Sequence, residues 1–98
     1  MHVLTVCYGH PGDPAAFDAY YESTHRPLAE KLPGLTSFTA RHCESLDDSP
    51  PPYFLIAELA FGSREALNAA LSSSEGHAAA VDVANFATGG ATMFVAHD

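Results

Sequence analysis

The sequence predicts an α+β chain of ferredoxin-like order, βαββαβ, with a four-stranded antiparallel sheet carrying its helices on one face. Three observations lead there. Four segments read as strands: His2 to Tyr8, Thr36 to Cys43, Tyr53 to Phe61 and Ala91 to Ala96, several of them rich in β-branched and aromatic residues. One long helical stretch separates the first two, and a broken helical stretch separates the last two. Turn residues fall at the joints, as Gly9-His10-Pro11-Gly12, Pro33-Gly34 and Thr88-Gly89-Gly90.

The first strand would carry His2, Leu4, Val6 and Tyr8 on one face and Val3, Thr5 and Cys7 on the other, and neither face is plainly polar. The helix from Asp13 to Leu32 has a marked start. Asp13 suits the N-cap, where its carboxylate accepts from the free N–H groups of the first turn, and Pro14 sits at N1, where a missing N–H costs nothing. Phe17, Tyr21, Thr24, Leu28 and Leu32 recur at three- and four-residue steps and predict the buried stripe. His25 follows Tyr21 by four residues, which stacks imidazole above phenol beside that stripe. Pro27 predicts a bend around Ser23 to Arg26, because it removes one helical hydrogen bond. Pro33-Gly34 ends the element.

The second strand alternates visibly. Glu44 to Pro52 follows as an acidic, proline-rich loop, too polar and too stiff for a core. In Tyr53 to Phe61, the positions Phe54, Ile56, Glu58 and Ala60 share one face and Tyr53, Leu55, Ala57, Leu59 and Phe61 the other. Both faces are apolar. With helices on one side only, the other side needs a cover, and the sheet of a second subunit supplies it. Ser63 caps a short helix through Leu71, with Ala66, Leu67, Ala70 and Leu71 inward. Ser72 with Glu75 forms a capping-box pattern for a further run, His77 to Ala87, with Val81, Ala84 and Phe86 as its apolar positions.

Bulk properties narrow the function. The 98 residues suit one domain spanning positions 1–98. Four basic against twelve acidic side chains give a formal charge of -8, which repels phosphate backbones and anionic membrane surfaces. Nucleic acid and membrane are therefore not expected partners. No segment has the length of a membrane span and no signal peptide is visible, so a cytoplasmic, reduced setting is expected. Cys7 and Cys43 lack metal-type spacing and read as small buried hydrophobes, with a disulfide possible but not required.

Two residues carry the chemistry. His25 titrates near neutral pH and suits a general acid or base; its other reading is a structural hydrogen bond at the Pro27 bend. Glu58 is a carboxylate in the middle of an apolar strand, where burial would prepare it for proton transfer. Its other reading is a salt bridge with Arg41 or Arg26. Asp82 and Asn85 are neighbours on a helix and read as a surface or capping pair. The six histidines show no i, i+4 or His-x-His ligand spacing, and no phosphate loop or nucleotide fingerprint is present.

The pattern Tyr8-x-x-Pro11-x-Asp13-x-x-x-Phe17-x-x-Tyr20-Tyr21-x-x-x-His25-x-Pro27-Leu28 resembles the EthD family, named for ethyl tert-butyl ether degradation. Leu32-Pro33-Gly34-Leu35, Ala57-Glu58-Leu59-x-Phe61 and Asp82-Val83-Ala84-Asn85-Phe86 extend the likeness over nearly the whole chain. The resemblance implies a dimeric α+β barrel, two ferredoxin-like sheets packed face to face. It also implies association with oxidative degradation. The wider superfamily holds cofactor-free monooxygenases, lactone isomerases, polyketide cyclases and some haem proteins, so the fold alone does not choose a reaction.

The resulting expectation is a homodimer that binds and turns over a small apolar or aromatic compound in a catabolic or secondary-metabolic pathway, oxidoreductase-associated and without a cofactor of its own. His25 and Glu58 are the expected catalytic pair. Tyr21, Phe17, Tyr20, Phe54 and Phe86 are expected to line the pocket between sheet and helices. The alternatives are a non-catalytic binding or accessory dimer for an oxygenase system, and a purely structural dimer. A pocket lined by both His25 and Glu58 favours the enzyme, a wholly apolar one the binder, and a filled interior the structural module.

Overall fold

Residues 1–98 are described by a computed structural model. The chain runs β1 (His2–Tyr8), α1 (Pro14–Tyr20), a π-helical turn (Tyr21–His25), α2 (Arg26–Ala29), β2 (Leu35–His42), β3 (Leu55–Phe61), α3 (Arg64–Ser72), α4 (Ser74–Asp82), a 3-10 turn (Val83–Asn85) and β4 (Ala91–His97). All strand pairs are antiparallel, in the order β2-β3-β1-β4. This is the ferredoxin-like arrangement the sequence predicts. No helix is long and apolar enough to cross a membrane.

The first helix starts as its cap dictates, with Asp13 Oδ1 accepting from Ala16 N at 3.1 Å. The bend expected at Pro27 takes another form. Pro27 has no N–H to give, and just before it the backbone widens into the π-helical turn, with Arg26 N–H donating to Tyr21 O. In a wider turn each residue advances by a smaller angle, so residues four apart stay on one face. The buried stripe is therefore Phe17, Tyr21, His25, Ala29 and Leu32. Thr24 is exposed and Leu28 half-buried, which corrects the expected stripe.

The second helical region is also shifted. Ser63 caps α3 through Ala66 N, as expected. The next cap is Ser73, not Ser72; its Oγ accepts from Gly76 N at 3.0 Å, and α4 begins at Ser74 rather than near His77. Gly76 lies against the backbone carbonyls of Ala70 and Leu71, a contact no larger residue could make. That approach fixes the phase of α4. Val81 and Ala84 point outward and Asp82 inward, the reverse of the expected assignment.

The helices cover one face of the sheet, where Leu4, Val6 and Tyr8 of β1 meet Leu55, Ala57, Leu59 and Phe61 of β3. The opposite face carries Thr5, Cys7, Ile56, Glu58 and the half-exposed Phe94. Cys7 and Cys43 are both free thiols.

Two substitutions test this account in urea unfolding. Asp13→Ala should cost about 1 kcal/mol by removing a cap. Gly76→Ala should cost about 1–3 kcal/mol by forcing α4 off α3. An unchanged midpoint for either variant would refute the role assigned to that residue.

Candidate active site

His25 closes the π-helical turn and is 5% exposed, and Asp82 ends α4 and is 7% exposed. Their side chains meet, with His25 Nδ1 2.9 Å from Asp82 Oδ2. Two further donors complete the carboxylate's shell. Tyr20 Oη donates to Oδ1 at 2.6 Å and Asn85 Nδ2 to the same oxygen at 3.0 Å. Burial alone would raise the acidity constant of Asp82. The bonds from Tyr20, Asn85 and His25 outweigh it and hold the carboxyl below its ordinary value, so it is ionised at neutral pH.

An ionised carboxylate only accepts, so His25 Nδ1 carries the proton in this pair. Burial lowers the pKa of the imidazole, opposed in part by Asp82, and the ring is neutral at pH 7. Nε2 is then a free acceptor. Its one protein neighbour is Tyr8 Oη, at a long 3.5 Å. The arrangement is that of a general base oriented by a carboxylate.

Nε2 faces a cavity of about 80 Å³ between sheet and helices, bordered by 16 residues, 14 of them hydrophobic. The wall is made of small side chains: Ala29 of α2, Ala57 of β3, and Gly76, Ala79 and Ala80 of α4. Leu71, Ala80 and Met93 border the cavity and are exposed, which places them at its mouth. The polar groups on its wall are His25 and the hydroxyls of Tyr8 and Tyr21.

The structure separates the expected catalytic pair. Glu58 pairs across the strands with Thr5 and Thr39 on the face turned away from the helices, and its Oε1 lies 3.5 Å from Arg41 Nη1. It shares no cavity with His25. The alternation of β3 places Ala57 and Leu59 toward the cavity and Glu58 away from it, so the paired acid–base reading fails on geometry. Of the five aromatic residues expected to line the pocket, Tyr21 does so. Phe17 and Phe86 are buried beside it in a cluster with Tyr8, with ring centroids 5.2–5.5 Å apart. Tyr20 spends its hydroxyl on Asp82. Phe54 packs edge-on against Phe17 and His42, outside the cavity.

Asp82 and Tyr8 are the site residues that sequence reasoning passes over. For Asp82 a signal exists. Phe86 is the one large aromatic residue of its segment, and taking it as the inward anchor puts Asp82, four residues earlier, on the same face. For Tyr8 the signal is its place on the same strand face as Leu4 and Val6.

A family model described as EthD domain matches residues 10–90. An uncharacterised 11.0 kDa protein from the thcB–thcC intergenic region of Rhodococcus erythropolis is 48% identical over 93 residues, covering 95% of this chain and 90% of that protein. A crystal structure of an ethyl tert-butyl ether (EthD) family protein from Bacillus halodurans superposes with a TM-score of 0.93 at 30% identity, covering 100% of this chain and 98% of that one. A dimeric ferredoxin-like protein from Jannaschia has the same fold, with a TM-score of 0.71 at 18% identity over 100% of both chains.

The depressed pKa of His25 fixes the sign of a pH effect. The unfolded chain binds a proton near the ordinary value of 6.5, while the folded chain resists it. The stability this group contributes is complete above that value and is lost as pH falls through it. Urea midpoints measured from pH 8 to pH 5 should therefore decline in the wild type and decline less in His25→Gln. Identical slopes would show that the ring is not held neutral.

Proposed function

This chain belongs to the EthD family, and from the site it encloses we propose that it is a cofactor-free enzyme acting on a small apolar or aromatic compound, in a catabolic or secondary-metabolic pathway. His25 is the general base and Asp82 the residue that orients it. The observation that carries this reading is the free Nε2 of a neutral, carboxylate-held imidazole on the wall of an apolar cavity. A cavity built only to hold an apolar molecule gains nothing from burying an ionised carboxylate with three donors beneath a histidine, since that burial is costly. A base needs that arrangement. Tyr21 lies against the ligand, and Phe17 and Phe86 hold it in place from behind.

A second reading, a binding or accessory protein for an oxygenase system, is favoured by how apolar the wall is. One experiment separates the two. Single-ring compounds are screened by NMR for binding and for conversion, with wild type, His25→Gln and Asp82→Asn. The enzyme reading expects at least one bound compound to be converted, with turnover reduced about 10²–10⁴-fold in both variants and affinity changed far less. Compounds that bind and are never converted give the accessory reading.

The open sheet face supports a homodimer. Ile56 and Phe94 lie on it, and a second copy of the same face would cover them through an isologous contact. Sedimentation at micromolar concentration should give twice the monomer mass, and Phe94→Arg should shift it to monomer. A wild-type monomer would refute the dimer.

A further inference from the structure

Two hydroxyls on the cavity wall have no settled partner. Tyr21 Oη is buried and makes no hydrogen bond. Tyr8 Oη is close enough to influence its ionisation but is not placed to bond with it, and has only the long contact with His25 Nε2. A buried hydroxyl without a partner carries a desolvation cost that a ligand atom would relieve. Burial pushes both phenols above their ordinary value of 10, helped at Tyr8 by Tyr21 and Asp82 and opposed at Tyr21 by Arg26, so both remain O–H donors. Two donors and one acceptor therefore meet on an otherwise hydrocarbon wall.

We propose that Tyr21 and Tyr8 form a two-donor cradle for a substrate oxygen, and that the substrate is a small cyclic or branched carbonyl compound with a C–H beside the carbonyl. The proposal rests on His25 as the base and deepens that reading. In the step, His25 Nε2 takes the proton from the carbon next to the carbonyl. The C–H electron pair becomes the carbon–carbon double bond of an enolate, and the carbonyl π pair moves onto oxygen. The two hydroxyls stabilise the charge that develops there, as donors aimed at an oxyanion do. Return of the same proton to that carbon, or to a conjugated one, completes a tautomerisation or double-bond shift. Nothing else is consumed.

The cavity bounds the size. At about 10–15 Å³ for each water-sized group, 80 Å³ holds roughly six non-hydrogen atoms, a single ring, with any extension leaving by the mouth. The formal charge of -8 disfavours anionic substrates and suits a neutral one.

The test uses cyclohexanone in D2O, with exchange of the protons beside the carbonyl followed by NMR, and the binding of phenol against size-matched toluene. Wild type should accelerate exchange and bind phenol roughly ten-fold tighter than toluene, a fold-change in the range of one hydrogen bond to a developing charge. Tyr21→Phe should abolish that preference and slow exchange about 10²-fold or more, as loss of one oxyanion donor does. Its melting temperature should be unchanged or higher, because the hydroxyl has no partner to lose; a structural hydroxyl would lower it. Exchange that is lost in His25→Gln but unaffected in both Tyr21→Phe and Tyr8→Phe overturns the cradle and leaves His25 as the base. Wild type that neither exchanges cyclohexanone nor prefers phenol overturns the carbonyl class, and the base is then judged by the conversion screen alone.

Discussion

The carboxylate of Asp82 is the point on which the rest of the structure turns. A charge that is 7% exposed survives in a small core only if its oxygens are occupied, and three donors from two separate segments occupy them. Tyr20 and His25 come from the first helical region and Asn85 from the turn after α4. The charge therefore clamps the two helical regions together over the sheet, and the clamp sets which nitrogen of His25 carries a proton. Stability and chemistry here rest on the same bonds.

The cavity is the second consequence of side-chain size. Where α1 faces the sheet, Phe17, Tyr21, Tyr8 and Phe86 interlock and leave no space. Where α2 and α4 face it, Ala29, Ala79 and Ala80 stand opposite Ala57, and close packing fails because nothing long enough reaches across. Gly76 holds α4 at that distance by letting its first turn rest on the end of α3. The aromatic half of the core thus supplies rigidity, and the alanine half supplies room.

Much of this was legible in the sequence, for physical reasons that differ between elements. The strands announced themselves by composition, and β1 has the expected bounds, because strand preference is a local property of β-branched and aromatic residues. The caps at Asp13 and Ser63 were equally local. His25 was singled out by its spacing from Tyr21, and it is buried on the helix side of the sheet. Glu58 misled because a strand with two apolar faces gives no local sign of which face the helices cover. Asp82 was hidden for the opposite reason. Its burial is decided by a histidine 57 positions away, and its own helix has only a weak apolar stripe.

The π-helical turn has one more implication. Between Tyr21 and His25 the backbone winds more slowly than the helices on either side, and Pro27 lies just beyond. In an α-helix each residue rotates the side-chain direction by about 100°, so the number of residues in that turn decides what every later position faces. The segment works like a reading frame: with one residue fewer, the letters would be the same but His25 would be read outward, to water, and its neighbour would be read into the core. A single-residue deletion between Tyr20 and His25 would thus silence the site without touching any residue that forms it.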